Sequence, residues 1–173
     1  MKLDDEVISE LEHNLLMFYT GIKRDARDIL SEQQKKISGN SKKVEKAAVA
    51  NGPVDDPDDA VERMHKIKRI GIESAKALEK GDLRRFGELL DEHWKAKRGI
   101  TSSMSNDKID RWYSIGKSNG AIGAKLIGAG GGGFMLFYCE DGKHQLRKAL
   151  VNEGLEEHRF RFEFEGAKVV YNT

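Results

Sequence analysis

At 173 residues, with 34% charged and 38% apolar side chains, the chain has an ordinary folded-protein composition, long enough for one core and short for two. Thirty basic against 29 acidic residues leave a net charge of +1, which gives no electrostatic basis for binding nucleic acid or an anionic membrane. The single cysteine, Cys139, has no internal partner, no apolar run reaches a membrane span, and the amino terminus is acidic, so one soluble cytoplasmic domain over residues 1–173 is expected.

Val7, Ile8 and Leu11 make an amphipathic start. The run Leu15-Leu16-Met17-Phe18-Tyr19, closed by Thr20-Gly21, predicts a strand buried on both faces. Residues 24–37 space Ala26, Ile29, Leu30 and Gln33 at helical intervals before Ser38-Gly39-Asn40. Residues 42–59 are polar and broken at Gly52-Pro53 and Pro57, a loop or a short helix plus loop. Two long helices follow. The first, from Pro57, carries Val61, Met64, Ile67, Ser74, Ala75 and Leu78 up to Gly81; the second has Asp82 as N-cap and a face of Leu83, Phe86, Leu89, Leu90, His93 and Trp94. After a small-polar loop over 101–105, Asn106 or Asp107 caps a third helix bearing Ile109, Trp112, Tyr113 and Ile115.

The last third changes character. Residues 124–127 read as a strand, 128–133 as a loop and 134–138 as a second strand. Leu146, Leu150 and Val151 mark a helix ending at Gly154. Residues 158–164 alternate Phe160, Phe162 and Phe164 with Arg159, Arg161 and Glu163, the pattern of a half-buried strand, and Glu165-Gly166 turns into Val169-Val170-Tyr171. The whole is an α+β domain: a mostly antiparallel, ferredoxin-like sheet of four or five strands with several covering helices.

One segment carries chemical content: Gly128-Ala129-Gly130-Gly131-Gly132-Gly133. Five glycines in six positions give up backbone entropy, and such runs occur where the backbone takes positive φ or approaches a ligand closely. Successive N–H groups there can form an anion-binding nest suited to phosphate; a plain hairpin connection uses the same residues. Two familiar motifs match only by letter. Gly128-x-Gly130-x-x-Gly133 should open a helix, but Phe134 begins a strand; Gly116-Lys117-Ser118 has Arg111 where a phosphate-binding loop needs glycine. Asp55, Asp56, Asp58 and Asp59 lack a calcium loop's spacing, and the five histidines show no metal-ligand spacing with Cys139, so no metal site is expected. His93 and Trp94 fall on an apolar helix face, which favours packing, and Lys23 and Arg24 read as surface charge.

The loop with its flanks, Gly123-Ala124-Lys125-Leu126-Ile127 before it and Phe134-Met135-Leu136 after it, resembles the third signature of the GHMP kinases (galactokinase, homoserine kinase, mevalonate kinase, phosphomevalonate kinase). The strand from Leu15 through Ile22 resembles the strand preceding that family's carboxyl-terminal region. Residues 92–98 and 104–110 are similar to segments of the branch that phosphorylates D-glycero-D-manno-heptose 7-phosphate. The resemblance implies the carboxyl-terminal domain of an ATP- and Mg²⁺-dependent sugar kinase, moving the γ-phosphoryl of ATP to a hydroxyl of a sugar phosphate. It makes Gly128, Ala129, Gly130, Gly131, Gly132 and Gly133 site candidates, and lets His93, Lys97 and Arg98 contact a sugar phosphate; solvated helix-end charge is the plainer account of Lys97 and Arg98.

The family's first two signatures and its acidic catalytic residue belong upstream of Leu15, where the sequence leaves no room, so no catalytic residue is assigned and the chain alone is expected to be inactive. Its partner would be the amino-terminal kinase half. Without that half, the Leu15 strand or the glycine-loop face would be left open and the chain would pair as a homodimer. The rival readings are a non-catalytic ferredoxin-like binding or assembly module, and a kinase for a galactose- or fucose-type sugar.

Overall fold

The computed structural model describes residues 3–23, five positions between 27 and 35, and residues 60–100, 102–128 and 130–166. Apart from those five positions, the expected helix over 24–37 lies outside the described residues, as do the loop over 42–59, the strand at Val169, Val170 and Tyr171, and Ala129.

Helix α1 (Asp5–Asn14) opens with Asp5 and Glu6 at the positive end of its dipole and runs directly into strand β1 (Leu15–Tyr19). Helices α2 (Ala60–Glu79) and α3 (Leu83–Arg98) pack on each other around a tight turn at Gly81, and the Asp82 carboxylate accepts from the Arg85 N–H at 3.0 Å. A single 3₁₀ turn, Ser102–Met104, then leads to helix α4 (Asp107–Ser118). The Asn106 side chain caps α4 by accepting from the N–H groups of Lys108 and Ile109, both at 3.1 Å. Strands β2 (Gly123–Ile127) and β3 (Phe134–Tyr138) form a hairpin around the glycine loop, followed by helix α5 (Lys143–Asn152) and the short strand β4 (Glu156–His158).

Among the described residues the sheet has the order β2-β3-β1-β4 with every pair antiparallel, the ferredoxin-like arrangement that the sequence predicts. Residues sharing one face by register (Leu16, Phe137 and Ala124; Phe18, Met135 and Leu126) pack with Ile109 and Trp112 of α4 and Leu146 and Leu150 of α5. Leu15 and Tyr138, on the opposite face, meet Leu11 of α1 and Leu83 and Leu90 of α3. The strand at Leu15 is thus interior, paired with β3 along its length and with β4 over Met17, Phe18 and Tyr19, so the edge expected to drive dimer formation is closed over those three residues.

One expected element is shorter than its pattern. Of the alternating run over 158–164 only His158, the last residue of β4, pairs with β1; Phe162 and Phe164 are 39% and 71% exposed. The antiparallel register places His158 opposite Met17, so two residues further on the partner strand ends where α1 begins. Phe160 turns inward against the Leu11 cluster, and the Phe162 N–H donates to Glu12 Oε1 at 2.7 Å instead of to a strand.

Candidate functional site

The glycine loop is strapped at both ends. Gly128, Gly130, Gly131 and Gly133 all have positive φ. At Gly130, with φ of +127°, a Cβ would lie 2.9 Å from Met104 Sδ and 3.2 Å from Met104 Cα, so glycine is required on two counts. The Gly131 N–H donates to the Met104 carbonyl at 3.0 Å and the Gly133 N–H to the Ile22 carbonyl at 3.0 Å. Thr20 donates to the Gly133 carbonyl through both its N–H (2.9 Å) and its hydroxyl (2.8 Å). These bonds alter one expectation: the N–H groups of Gly131 and Gly133 are used to seat the loop, so they are not free to form a nest for an anion. As the sequence predicts, β3 follows the loop where a dinucleotide fingerprint needs a helix.

Positive charge gathers at the loop's open end. Lys97, in the last turn of α3, donates from Nζ to the Gly128 carbonyl. His93 lies one turn earlier on the same helix, and Lys125 comes from β2, on the strand face of Gly123 over which α3 crosses. Burial, with repulsion from Lys125 and then Lys97, pushes His93 down to about 4, so its imidazole is neutral at physiological pH. Burial also lowers Lys97; burial and repulsion from Lys97 lower Lys125. Among the described residues neither lysine forms an ion pair, and His93 Nδ1 is buried without a hydrogen-bond partner.

The structure therefore brings Lys97 to the glycine loop, with His93 one turn earlier beside Lys97 and Lys125, but turns Arg98 elsewhere. The Arg98 guanidinium meets Asp110 at 3.3 Å and lies 5.5 Å over the Tyr113 ring. Sequence reasoning missed Lys125 and Thr20. Lys125 is the one charged residue in Gly123-Ala124-Lys125-Leu126-Ile127, and that break in an apolar strand was the available signal. Trp94 is fully buried in the core, as its apolar helix face implies.

Behind α3 sits a second polar centre. Asp91, 6% exposed, accepts from Tyr113 Oη at 2.8 Å and pairs with Lys95 at 2.8 Å and Lys117 at 3.4 Å. Burial alone would raise its pKa; the bonds from Lys95 and Tyr113 and the charge of Lys117 outweigh it and hold the carboxyl below its usual range. With three partners the ion is satisfied, and its geometry locks α3 to α4.

Residues 74–156, which include α3, β2, the glycine loop and β3, match the family described as GHMP kinases C terminal. The chain carries a GHMP kinase C-terminal domain. Over 169 residues, 97% of its length, the chain is 33% identical to the D-glycero-alpha-D-manno-heptose 7-phosphate kinase of Campylobacter jejuni, and it spans 44% of that relative. It is 26% identical over 153 residues (88% of this chain, 13% of the relative) to the bifunctional fucokinase/GDP-fucose pyrophosphorylase of Arabidopsis thaliana. Its fold is that of L. major mevalonate kinase in complex with R-mevalonate, with a TM-score of 0.65 at 21% identity, covering 83% of this chain and 40% of that one. Among the described residues of the domain, no helix is long and apolar enough to cross a membrane.

Proposed function

We propose that this chain is the carboxyl-terminal portion of a cytoplasmic ATP-dependent kinase that moves the γ-phosphoryl group of ATP to a hydroxyl of a sugar phosphate of the heptose 7-phosphate class. The observation that carries the reading is the glycine loop, strapped by Met104, Ile22 and Thr20 and flanked by Lys97, in a chain 33% identical to a heptose 7-phosphate kinase. Phosphoryl transfer depends on positioning and on stabilising charge, and this half contributes the rigid loop wall and the cations beside it. In this reading the loop glycines Gly128, Gly130, Gly131, Gly132 and Gly133, with His93 and Lys97, serve the sugar phosphate and the transferring group. ATP supplies the phosphoryl group when bound. Among the described residues there is no group of three or more His, Cys, Asp or Glu side chains placed to hold a metal ion. The amino-terminal kinase half is the implied partner, and the unpaired Cys139 supports the cytoplasmic assignment.

A chimera tests this. This chain replaces the matching region of the Campylobacter kinase, and ATP-dependent phosphorylation of heptose 7-phosphate and of fucose is measured. Turnover of the heptose phosphate is expected. A folded chimera that acts on neither sugar overturns the kinase reading in favour of a binding module, and turnover of fucose alone overturns the phosphorylated acceptor. The 173-residue chain by itself is expected to bind ATP at about millimolar concentration or weaker and to transfer nothing.

A further inference from the structure

We propose that His93, Lys97 and Lys125 form a subsite for the dianion of a phosphate monoester, built where α3 crosses β2 at the open end of the glycine loop. The proposal rests on the kinase reading above and states what relieves the charge gathered there.

The first support is a pair of half-buried cations without a counter-ion. Several other cations of the fold are matched: Lys95 and Lys117 on Asp91, Arg85 on Glu88 and Glu92, Arg111 on Glu153, Arg147 on Glu157. Lys97 and Lys125, both half-buried, repel each other and His93, and no carboxylate pairs with either among the described residues. Two close ammonium groups without a counter-ion destabilise the chain that holds them, and an arriving dianion reverses the sign of that interaction. The second support is geometry. The bond to the Gly128 carbonyl fixes the Lys97 ammonium and uses one of its three donors, while Lys125 approaches from the sheet on the side where α3 lies. The third is His93, whose Nδ1 is buried without a partner; a neutral imidazole adds a directional hydrogen bond without adding to the repulsion. A phosphate monoester carries nearly two negative charges at neutral pH, the charge that two lysines match.

The donor of that phosphate is either the acceptor sugar or the terminal phosphate of the nucleotide, and one titration separates them. The chain is titrated with inorganic phosphate at neutral pH and low salt while its amide and imidazole NMR signals are followed. Saturable shifts at His93 and the loop glycines are expected. Lys125→Met and Lys97→Met should each weaken binding about tenfold, as loss of a charged hydrogen bond does. Lys148→Met removes the same charge from an exposed site on α5 and should change binding less than about twofold. Should Lys125→Met not fold, Lys125→Gln carries the test. Displacement of inorganic phosphate by a sugar phosphate, but not by a non-hydrolysable ATP analogue, assigns the subsite to the acceptor; the reverse assigns it to the nucleotide. No saturable shift at several tens of millimolar, or equal weakening by Lys148→Met, overturns the subsite. An inactive chimera with phosphate binding intact would count against the kinase reading alone, and an active chimera made from a phosphate-blind chain against the subsite alone.

Discussion

Gly130 shows how much of this site is a matter of single atoms. Its φ of +127° lies where a side chain is strained, and an added Cβ would press on Met104, whose carbonyl holds the next residue of the loop. Gly130→Ala is therefore expected to cost about 1–3 kcal/mol, read from urea unfolding of the chain, with the loop displaced from Met104. A variant within about 0.5 kcal/mol of the parent would show that the loop adopts this shape without needing glycine there. His93 makes the same point through charge. A histidine on an apolar helix face is usually a packed core residue; a buried, unpartnered Nδ1 and the two lysines beside it set this one apart.

Helix α3 is the element on which the site depends, because it carries His93 and Lys97 and lies directly on the strand that carries Lys125. The approach is possible because two glycines face each other: a Cβ on Gly123 would sit 1.8 Å from the Gly87 carbonyl oxygen, and one on Gly87 would sit 2.2 Å from the Tyr138 ring. Backbone cannot yield as a flexible side chain does, so Gly123→Ala must push α3 off β2. Overpacking of this kind costs about 3 kcal/mol or more, and it also separates Lys97 from Lys125. The expected result is a large drop in the urea midpoint, together with His93 titrating closer to an ordinary histidine in the variant that remains folded. Unchanged stability would mean that the helix lies farther from the sheet than the structure places it.

For the whole molecule, these groups set how stability varies with pH. His93 titrates near 4 when folded and near 6.5 when unfolded. Between those values the unfolded chain binds a proton that the native chain refuses, so stability falls as pH drops through that window and is level above it. Because His93 is partly open to solvent, screening removes part of the effect and leaves about 1–2 kcal/mol. Asp91 acts lower: its carboxyl is held below the usual value of 3.8, so the stability it contributes is present above that pH and is lost only as pH falls further. Urea midpoints at several pH values for the parent and His93→Gln check this. The variant should lose the dependence between about 6.5 and 4 and keep the steeper loss in stronger acid; identical profiles would remove His93 as the cause.

Much of this was legible in the residues themselves. Local pattern, caps and turn chemistry determined the strands at Leu15, Gly123 and Phe134, the caps at Asp82 and Asn106, and the loop of five glycines, because each depends on neighbours within a few positions. The alternating phenylalanines from 160 to 164 misled because a strand exists only where it has a partner, and β1 ends at Leu15. Two of the N–H groups a nest could have used, those of Gly131 and Gly133, are taken for a related reason: which loop N–H groups are free depends on Met104 and Ile22, residues distant in the chain. Tertiary structure alone decided that Arg98 turns to Asp110 while Lys125 joins His93 and Lys97. A charge's partner is set by which helix crosses which strand, and that crossing is fixed by the absence of two side chains, at Gly87 and Gly123, 36 residues apart in sequence.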